Sequence, residues 1–395
     1  MFYVYFAPLF FTLYLYVVAR ARIEFHTVLA LTTTVCLYYI FLLSFRYDFG
    51  WDYFSYIKLI NYGCQPDTHF TRLTCIMFNL SSSNPQLYFA FTTCIFIPLL
   101  IFFFYSFHGA RGILIYLFVF MCIPLGMVLT ASIIRQSIAI AAFILIARYT
   151  YFRFKLRNIF VVFALATLGL ESHGTFVYAL GCLLIVFVLK RVPVSKFFAL
   201  SAPVIFYLIG RYGVMNILRV IAPQYTYYSK LDITGMGLFI LNCLLYTIIT
   251  MRFFYTRTNY NSDYNPNDEQ FYDCYKLFFV GMCIYTLLYN VNVQAARFAF
   301  YFMYFSLPLI VNELLKISTP ARYAAASCLL AVFAGQIYVA TNVGNNGGRD
   351  SITQYELRLQ AVRSIRLPLR IGTTPELAIA STKNVCLCES MKNNV

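Results

Sequence analysis

Long apolar runs, separated by short polar segments, make up most of the chain. Twelve of them have the character of membrane-crossing helices, which need about 20 apolar residues or slightly fewer. The pattern therefore predicts an all-α fold, a polytopic transmembrane helix bundle of about twelve spans, with a range of eleven to thirteen. The runs are 2–19, 27–45, 87–107, 112–131, 134–150, 158–170, 174–189, 197–212, 236–252, 271–289, 298–315 and 322–340.

The runs at 158–170 and 174–189 are each short for a complete span. Between them lies the polar segment 171–174, with the sequence ESHG. This segment is either a turn at the outer surface or a break within one long helix, and the hydrophobic pattern leaves both interpretations open.

The longer polar segments indicate how the chain is divided. Residues 1–340 are expected to form the transmembrane domain with an outer loop at 46–86, and residues 341–395 a polar, partly disordered C-terminal tail. Within the loop, the apolar spacing of residues 53–61 is typical of an amphipathic helix on the membrane surface. Asp52 is placed as its N-cap.

Composition agrees with a membrane protein, since 61% of the residues are hydrophobic and only 11% are charged. Fourteen Lys and Arg residues fall in the alternate loops of one side, against eight on the other. The positive-inside rule assigns the richer side to the cytoplasm and the N-terminus to the outside. The net charge of +15 is thereby explained by topology, and no nucleic acid partner is expected.

The cysteines carry little chemistry of their own. Most of the twelve lie in apolar runs, where cysteine behaves as a small hydrophobe. Cys64 and Cys75 share the predicted outer loop, where they either form a disulfide or remain thiols. Cys386 and Cys388 form only a C-x-C pair, so the spacing of a zinc or redox motif is missing.

A dense group of polar residues follows the second apolar run. Arg46, Asp48, Gly50, Trp51 and Asp52 stand within seven residues in a chain otherwise poor in charge. Ionisable groups at membrane depth cost several kcal/mol unless they are paired or face water. This group is therefore a candidate for one wall of a polar site at the membrane surface.

Three other helix ends present charge at the same predicted outer level. Arg135 and Gln136 open one span, Glu171 and His173 lie between two spans, and Arg297 begins a late span. An arginine at a helix mouth suits phosphate, because its planar fork makes two hydrogen bonds and keeps its charge. The alternative for each arginine is a side chain that only marks the interface.

Two residues are candidates for proton transfer. His173 titrates near neutral pH, and a neighbouring Glu171 is expected to raise its pKa, so that it acts as general base on a sugar hydroxyl. Asp52 is the other candidate base. The competing interpretations are a hydrogen bond at a helix end for His173 and a helix cap for Asp52.

The aromatic residues of the outer loop have two interpretations. Trp51, Tyr53, Tyr56 and Tyr62 either stack on sugar rings or belong to the aromatic belt of the membrane interface. The sequence lacks HExxH, GxSxG and Walker A motifs, so neither a metal site nor a cofactor is expected.

The same polar residues carry a family resemblance. The chain resembles the EpsG-type branch of the Wzy-like polysaccharide polymerases, over roughly residues 30–315 and with order and spacing kept. Trp51 replaces the threonine that is usual in that family. The matching elements are Arg46-x3-Gly50-x-Asp52-Tyr53-x2-Tyr56, Arg135-Gln136-x2-Ala139, His173-Gly174-Thr175 after an apolar run, and Arg297-x3-Tyr301-x6-Pro308.

The resemblance implies a metal-independent glycosyltransferase that joins oligosaccharide repeat units on polyprenyl pyrophosphate, at the outer face of a bacterial inner membrane. The implied partners are the lipid-linked glycan, the bilayer and a chain-length regulator protein. His173 and Asp52 are the expected catalytic residues. The expected substrate-binding residues are Arg46, Asp48, Trp51, Tyr56, Arg135, Gln136, Glu171 and Arg297.

Two other classes of function suit a similar composition. A transporter or flippase of lipid-linked saccharide would place its site near the bilayer midplane on repeated, broken helices, whereas here the charges collect at one surface. An O-acyltransferase would need a catalytic histidine deep in the membrane, and His173 is the only candidate for that role. A non-catalytic assembly partner is the remaining reading.

Overall fold

Helices account for nearly all of the residues that the computed structural model describes. The all-α class is therefore confirmed. The chain forms two compact units, residues 1–357 and 358–395, and the second lies outside the described residues. The described residues are 25–44, 46–47, 56, 72–81, 84–123, 126, 130, 133–152, 155–214, 236–259, 266–289, 293–342 and 356–357.

The first half of the chain contributes seven described helices. Two of them continue into single π-helical turns, Arg148–Phe152 after the fourth and Gly210–Val214 after the seventh. The helices are α1 Phe25–Ser44, α2 Arg72–Leu80, α3 Pro85–Cys122, α4 Ile134–Ala147, α5 Ile159–Ser172, α6 Phe176–Val188 and α7 Lys196–Ile209. Short 3-10 turns at Leu156–Asn158 and Leu189–Arg191 precede α5 and follow α6.

The second half contains two long helices, a broken helical run and a further long helix. A 3-10 turn at Arg297–Ala299 joins two short pieces of the broken run. The elements are α8 Met236–Asn259, α9 Pro266–Tyr289, α10 Val293–Ala296, α11 Phe300–Met303, α12 Ser306–Lys316 and α13 Thr319–Asn342. Strand β1, Arg46–Tyr47, pairs antiparallel with β2, Glu356–Leu357.

The predicted apolar runs from residue 27 onward coincide with helices, although the run at 112–131 stops being helical at Cys122. The run at 2–19 lies outside the described residues. Among the described helices, two are long and apolar enough to cross a membrane, or three if a pair bent by 41° counts as one. The chain is thus a membrane helix bundle, and the count of about twelve spans stays a prediction.

Local sequence explains the limits of α3. Asn84 caps its first turn by accepting the N–H of Gln86 at 3.0 Å, and Pro85 occupies the first position, where its missing N–H costs nothing. Gly109 interrupts the helix with φ of 64°, a backbone conformation that favours glycine. The two parts correspond to the separate runs predicted at 87–107 and 112–131.

The segment 171–174 is part of a turn between two helices that run in opposite directions. The charge of Arg135, at the start of α4, acts on His173. At the far end of α4, the ring of Tyr151 lies 6.2 Å from that of Phe187, near the end of α6. Helix α5 runs toward the start of α4 and ends beside His173, and α6 runs from there toward the far end of α4. The two helices therefore form an antiparallel hairpin.

The later helices connect the same two ends. Near the start of α9, Asp273 pairs with Lys190, and near its end Leu288 lines a cavity with His173. Helix α8 runs antiparallel to α9, because its Phe239 stacks on Tyr289 at 4.2 Å while its Phe253 stacks on Tyr275 at 4.4 Å. We call the two levels the Arg135 end and the Asp273 end.

The pairing of β1 with β2 brings distant parts of the chain together. Arg46 faces Leu357 and Tyr47 faces Glu356. The first compact unit therefore extends to Leu357, past the boundary predicted at residue 340. Residues 356–357 thus lie beside the segment that carries the first motif.

Candidate functional site

A cavity of about 470 Å³ opens at the Arg135 end of the bundle. It is formed by the start of α4, the turn between α5 and α6, the end of α9 and the run that begins at α10. The described residues that line it include one cation and no acidic side chain. The lining residues are Gln136, His173, Thr175, Tyr178, Leu288, Ala295, Arg297 and Phe298.

The position of His173 follows from the way α5 ends. Its backbone is extended, with φ of −157°, and its N–H donates to the carbonyl of Gly169 at 3.1 Å. The ring of Phe176 folds back onto Gly169, where a Cβ would lie only 2.3 Å from the ring. Glycine at this position therefore allows the tight hairpin that presents His173 to the cavity.

The electrostatic surroundings of His173 keep it neutral. Burial lowers its pKa from 6.5 to about 4, and the positive charges of Arg135 and Arg297 act in the same direction. The expectation that Glu171 raises this pKa was wrong, because loss of hydration and two cations dominate. At neutral pH the imidazole is uncharged and a weaker base than a free histidine.

A hydrogen bond joins two of the sequence motifs across 161 positions. The amide Nε2 of Gln136 donates to the backbone carbonyl of Arg297 at 2.8 Å, and Gln136 is only 4% exposed. A buried bond of this kind is costly to break, because the carbonyl would lose its partner. It therefore holds Arg297 beside the start of α4.

Arg297 does not begin its helix, contrary to the sequence-based expectation. The helical run begins with α10 at Val293, so the free N–H groups of the first turn belong to residues 293–296. The residue contributes its guanidinium and its carbonyl instead. Arg135, by contrast, is the second residue of α4.

Arg135 is supported by an aromatic residue of the outer loop. Its guanidinium carbon lies 5.8 Å from the centre of the Tyr56 ring, within the range of a cation–π contact. Tyr56 is 4% exposed, and its ring also packs against Tyr88 at 5.8 Å. In this structure Tyr56 positions Arg135, and a direct contact between Tyr56 and a sugar stays a prediction.

Two hydroxyl groups complete the surroundings of His173. Its Nδ1 lies 2.7 Å from Oγ1 of Thr175, and that oxygen lies 3.2 Å from the hydroxyl of Tyr301. Tyr301 is fully buried against Phe143 and Phe176, with ring distances of 5.5 and 6.2 Å. The histidine is therefore connected through Thr175 to the rigid core at α11.

Comparison with known protein families agrees with the motifs. The family model described as EpsG family matches residues 29–357, which is most of the chain. The chain belongs to the EpsG family. Neither a curated protein nor a solved structure shows significant similarity to it.

Membership of the EpsG family confirms the resemblance found in the sequence and makes the chain a polysaccharide polymerase-type membrane protein. The match includes every residue that lines the cavity. It begins within α1 and ends at Leu357, the last residue of β2.

Several predicted site residues of this EpsG-family chain are not brought to the cavity by the described structure. Asp48, Trp51 and Asp52 lie outside the described residues, and Arg46 is described only as part of β1. Glu171 is half-buried in the last turn of α5 and does not line the cavity. Their predicted roles stay predictions.

Thr175, Tyr178 and Tyr301 had no predicted role. Thr175 stands two residues after His173, a spacing at which a hydroxyl commonly bonds within a turn. Tyr301 stands one helical turn after Arg297, so the two share a face. Tyr178 had no signal beyond its place near the start of α6.

The residues that the structure describes include no candidate metal site. No three His, Cys, Asp or Glu side chains within these residues lie close enough together to hold an ion. The polar groups at the cavity are instead guanidinium, amide, hydroxyl and imidazole. All four kinds of group can donate hydrogen bonds, and such a set of donors suits an anionic or polyhydroxylated ligand.

Proposed function

We propose that this EpsG-family protein joins oligosaccharide repeat units carried on polyprenyl pyrophosphate at the outer face of a bacterial inner membrane. The observation that carries the proposal is the cavity at the Arg135 end. Arg297 and His173 line it, and the charge of Arg135 reaches His173. Three of the polar segments recognised in the sequence therefore contribute to one place.

A diphosphate suits the electrostatics of this cavity. Among the described residues, its lining carries the guanidinium of Arg297 and no carboxylate, which favours an anionic ligand. Burial is the main cause of the lowered pKa of His173, and the positive charges of Arg135 and Arg297 act in the same direction. Arginine binds phosphate oxygens in pairs and stabilises the charge that develops on a leaving diphosphate.

The apolar residues of the cavity lining suit a lipid. Leu288, Ala295 and Phe298 are apolar, and Tyr178 is 69% exposed at the border between the cavity and the outer face of α6. Ile185, two helical turns after Tyr178, is also exposed on that face. A ligand with a charged head and an isoprenoid tail would contact the polar side with its diphosphate and leave through the apolar side.

The proposed reaction transfers one glycan to another. A hydroxyl of the acceptor unit attacks the anomeric carbon of the donor, the new glycosidic C–O bond forms, and the bond from that carbon to the diphosphate breaks. The hydroxyl proton passes to a carboxylate, and Asp52 is the candidate. His173 is the weaker candidate, because its lowered pKa disfavours accepting a proton at neutral pH.

Two features support an extracytoplasmic Arg135 end. Cys75 is disulfide-bonded, and the bond partner lies outside the described residues. Cys75 belongs to α2, just before the capped start of α3, whose Tyr88 packs against Tyr56. Disulfides persist in oxidising compartments. The Asp273 end, in contrast, carries Lys190 and Arg252, two of the basic residues assigned to the cytoplasm.

The test is polymerisation by the purified full-length protein in lipid vesicles that contain polyprenyl-pyrophosphate-linked repeat units. A ladder of longer glycans is expected from the wild type and from Arg191→Ala, a control cation at the opposite end. Arg135→Ala is expected to leave the units single. Movement of units across the bilayer without any growth in length would contradict the proposal and favour a flippase.

A further inference from the structure

The two nitrogens of His173 have different surroundings. Nδ1 has two partners from Thr175: the backbone N–H at 3.3 Å and the hydroxyl oxygen at 2.7 Å. Nε2 has no hydrogen-bond partner within the described part of the chain, although His173 lines the cavity. Nε2 is therefore the nitrogen available to a ligand.

The backbone bond shows which nitrogen carries the proton in this structure, and the shorter hydroxyl bond strengthens that preference. An amide N–H can only donate, so Nδ1 must accept, and a nitrogen that accepts carries no hydrogen. In a neutral imidazole the single proton then resides on Nε2. Protonation of Nδ1 would turn a hydrogen toward the N–H of Thr175, which adds a local penalty against the imidazolium.

The hydroxyl groups are consistent with the same assignment. With Nδ1 as acceptor, the hydroxyl of Thr175 donates its only hydrogen to that nitrogen. Its oxygen is then free to accept from the hydroxyl of Tyr301 at 3.2 Å. The chain of donors thus runs from Tyr301 through Thr175 to His173, in one direction.

We propose that Thr175 and Tyr301 are positioning residues that keep His173 in its Nε2–H form, so that it donates a hydrogen bond to an anionic oxygen in the cavity. His173 then binds the anionic ligand and does not remove the proton of the attacking hydroxyl. Together with the guanidinium of Arg297 it forms a donor pair for a phosphate oxygen. The identity of that oxygen rests on the proposed function, whereas the tautomer does not.

The direct test is nitrogen-15 NMR of the full-length protein, labelled at histidine and held in lipid bilayers without substrate. The chain has four histidines, so loss of one signal in His173→Gln assigns the residue. The expected spectrum shows the Nε2–H tautomer from pH 8 down to pH values well below the pKa of free histidine. A wild-type spectrum with the Nδ1–H tautomer, or with imidazolium at pH 7, would overturn the inference.

Variants of Thr175 separate its hydroxyl from its volume. Thr175→Ser keeps the hydroxyl and is expected to preserve the tautomer and the activity. Thr175→Val keeps the longer backbone bond at 3.3 Å but removes the hydroxyl at 2.7 Å, so it is expected to weaken the preference for the Nε2–H form, to admit the other tautomer and to reduce kcat about tenfold, the effect of one hydrogen bond. Thr167→Val is the matched control, because that hydroxyl donates only to Phe163 of its own helix.

The two readouts distinguish the inference from the proposed function. An unchanged tautomer in Thr175→Val would contradict the positioning role whatever the protein catalyses. A confirmed tautomer in a protein that forms no glycan ladder would leave the inference standing and remove only the diphosphate as its ligand. A full ladder from Thr175→Val and Tyr301→Phe alike would contradict the catalytic importance of the donor chain.

Discussion

At the Asp273 end of the bundle, cations lie against carboxylates and carbonyls, whereas the Arg135 end arranges its polar groups around a cavity. Lys190 pairs with Asp273 at 2.9 Å and donates to the carbonyl of Tyr151 at 2.6 Å. Arg252 pairs with Glu313 at 2.9 Å. The Arg135 end instead places Arg297 and His173 at a cavity whose described lining residues include no acidic side chain.

This difference indicates different tasks for the two ends. Asp273 and Lys276 are almost completely buried, yet each has a partner, since Lys276 donates to the carbonyl of Lys190 and lies 4.5 Å from the Tyr272 ring. A buried charge with matched partners ties helices together. A cavity lined by a guanidinium suits an anionic ligand, so we propose that the Arg135 end binds substrate and that the Asp273 end supports the fold.

The largest expected effect is a loss of polymerisation when the guanidinium of Arg297 is removed. Arg297→Ala removes a guanidinium from the cavity and is expected to lower polymerisation about 10²–10³-fold, the range for one electrostatic stabiliser of a leaving group. Arg297→Lys should recover part of it, because the charge remains but the planar fork is lost. Initial rates of ladder formation at matched protein amounts check this. Wild-type rates of ladder formation in Arg297→Ala would contradict substrate binding at the Arg135 end.

Breaking the pair at the other end should affect folding and leave the chemistry intact. Asp273→Asn leaves Lys190 without its counter-charge and is expected to destabilise the protein by about 3 kcal/mol, since Asp273 is buried. Thermal unfolding in detergent measures the loss. The rate per folded molecule should equal that of the wild type, and a selective loss of rate at unchanged stability would reverse the comparison.

The pH dependence of stability should report the burial of His173 and, in addition, the positive charges around it. Its pKa is lowered from 6.5 in the unfolded chain to about 4 in the fold, so the unfolded state binds a proton first as pH falls. Stability is therefore complete above pH 6.5 and is lost progressively toward pH 4. His173→Gln should flatten this part of the curve. Identical curves for the two proteins between these pH values would contradict the assigned pKa.

The smallest effect is expected at the more exposed pair of the Asp273 end. The side chains of Arg252 and Glu313 are 42% and 17% exposed, so water screens their attraction. Glu313→Gln is expected to cost at most about 1 kcal/mol of stability, and the cost should shrink in high salt. Thermal unfolding at two salt concentrations measures it. A cost as large as that of Asp273→Asn would show that burial does not separate the two pairs.

Much of the helix pattern was predictable from local sequence. The boundary between the runs at 87–107 and 112–131 coincides with the break at Gly109, and the hairpin turn lies at the ambiguous segment 171–174. The start of α10 was missed because residues 293–296, VQAA, add a turn that extends beyond the apolar run predicted from 298. Helix ends depend on neighbouring packing and are harder to read than helix interiors.

The candidate site was predictable as a set of residues and not as a geometry. Arg135, Gln136, His173 and Arg297 stood out because charge and imidazole are rare in an apolar chain. Their contacts depend on residues far apart in sequence, such as the bond from Gln136 to the carbonyl of Arg297. The burial of Tyr56 beside Arg135 likewise depends on its packing against Tyr88 of α3.

By itself, then, the sequence determined that this is a helical membrane protein of the polymerase type, because apolar length and a few ordered motifs are local properties. Only the tertiary structure decided that His173 is neutral and bonded through Nδ1 to Thr175, and that Arg297 stands inside its helical run. The physical reason is that a pKa sums desolvation and charges contributed by separate helices. Those contributions exist only once the helices have packed.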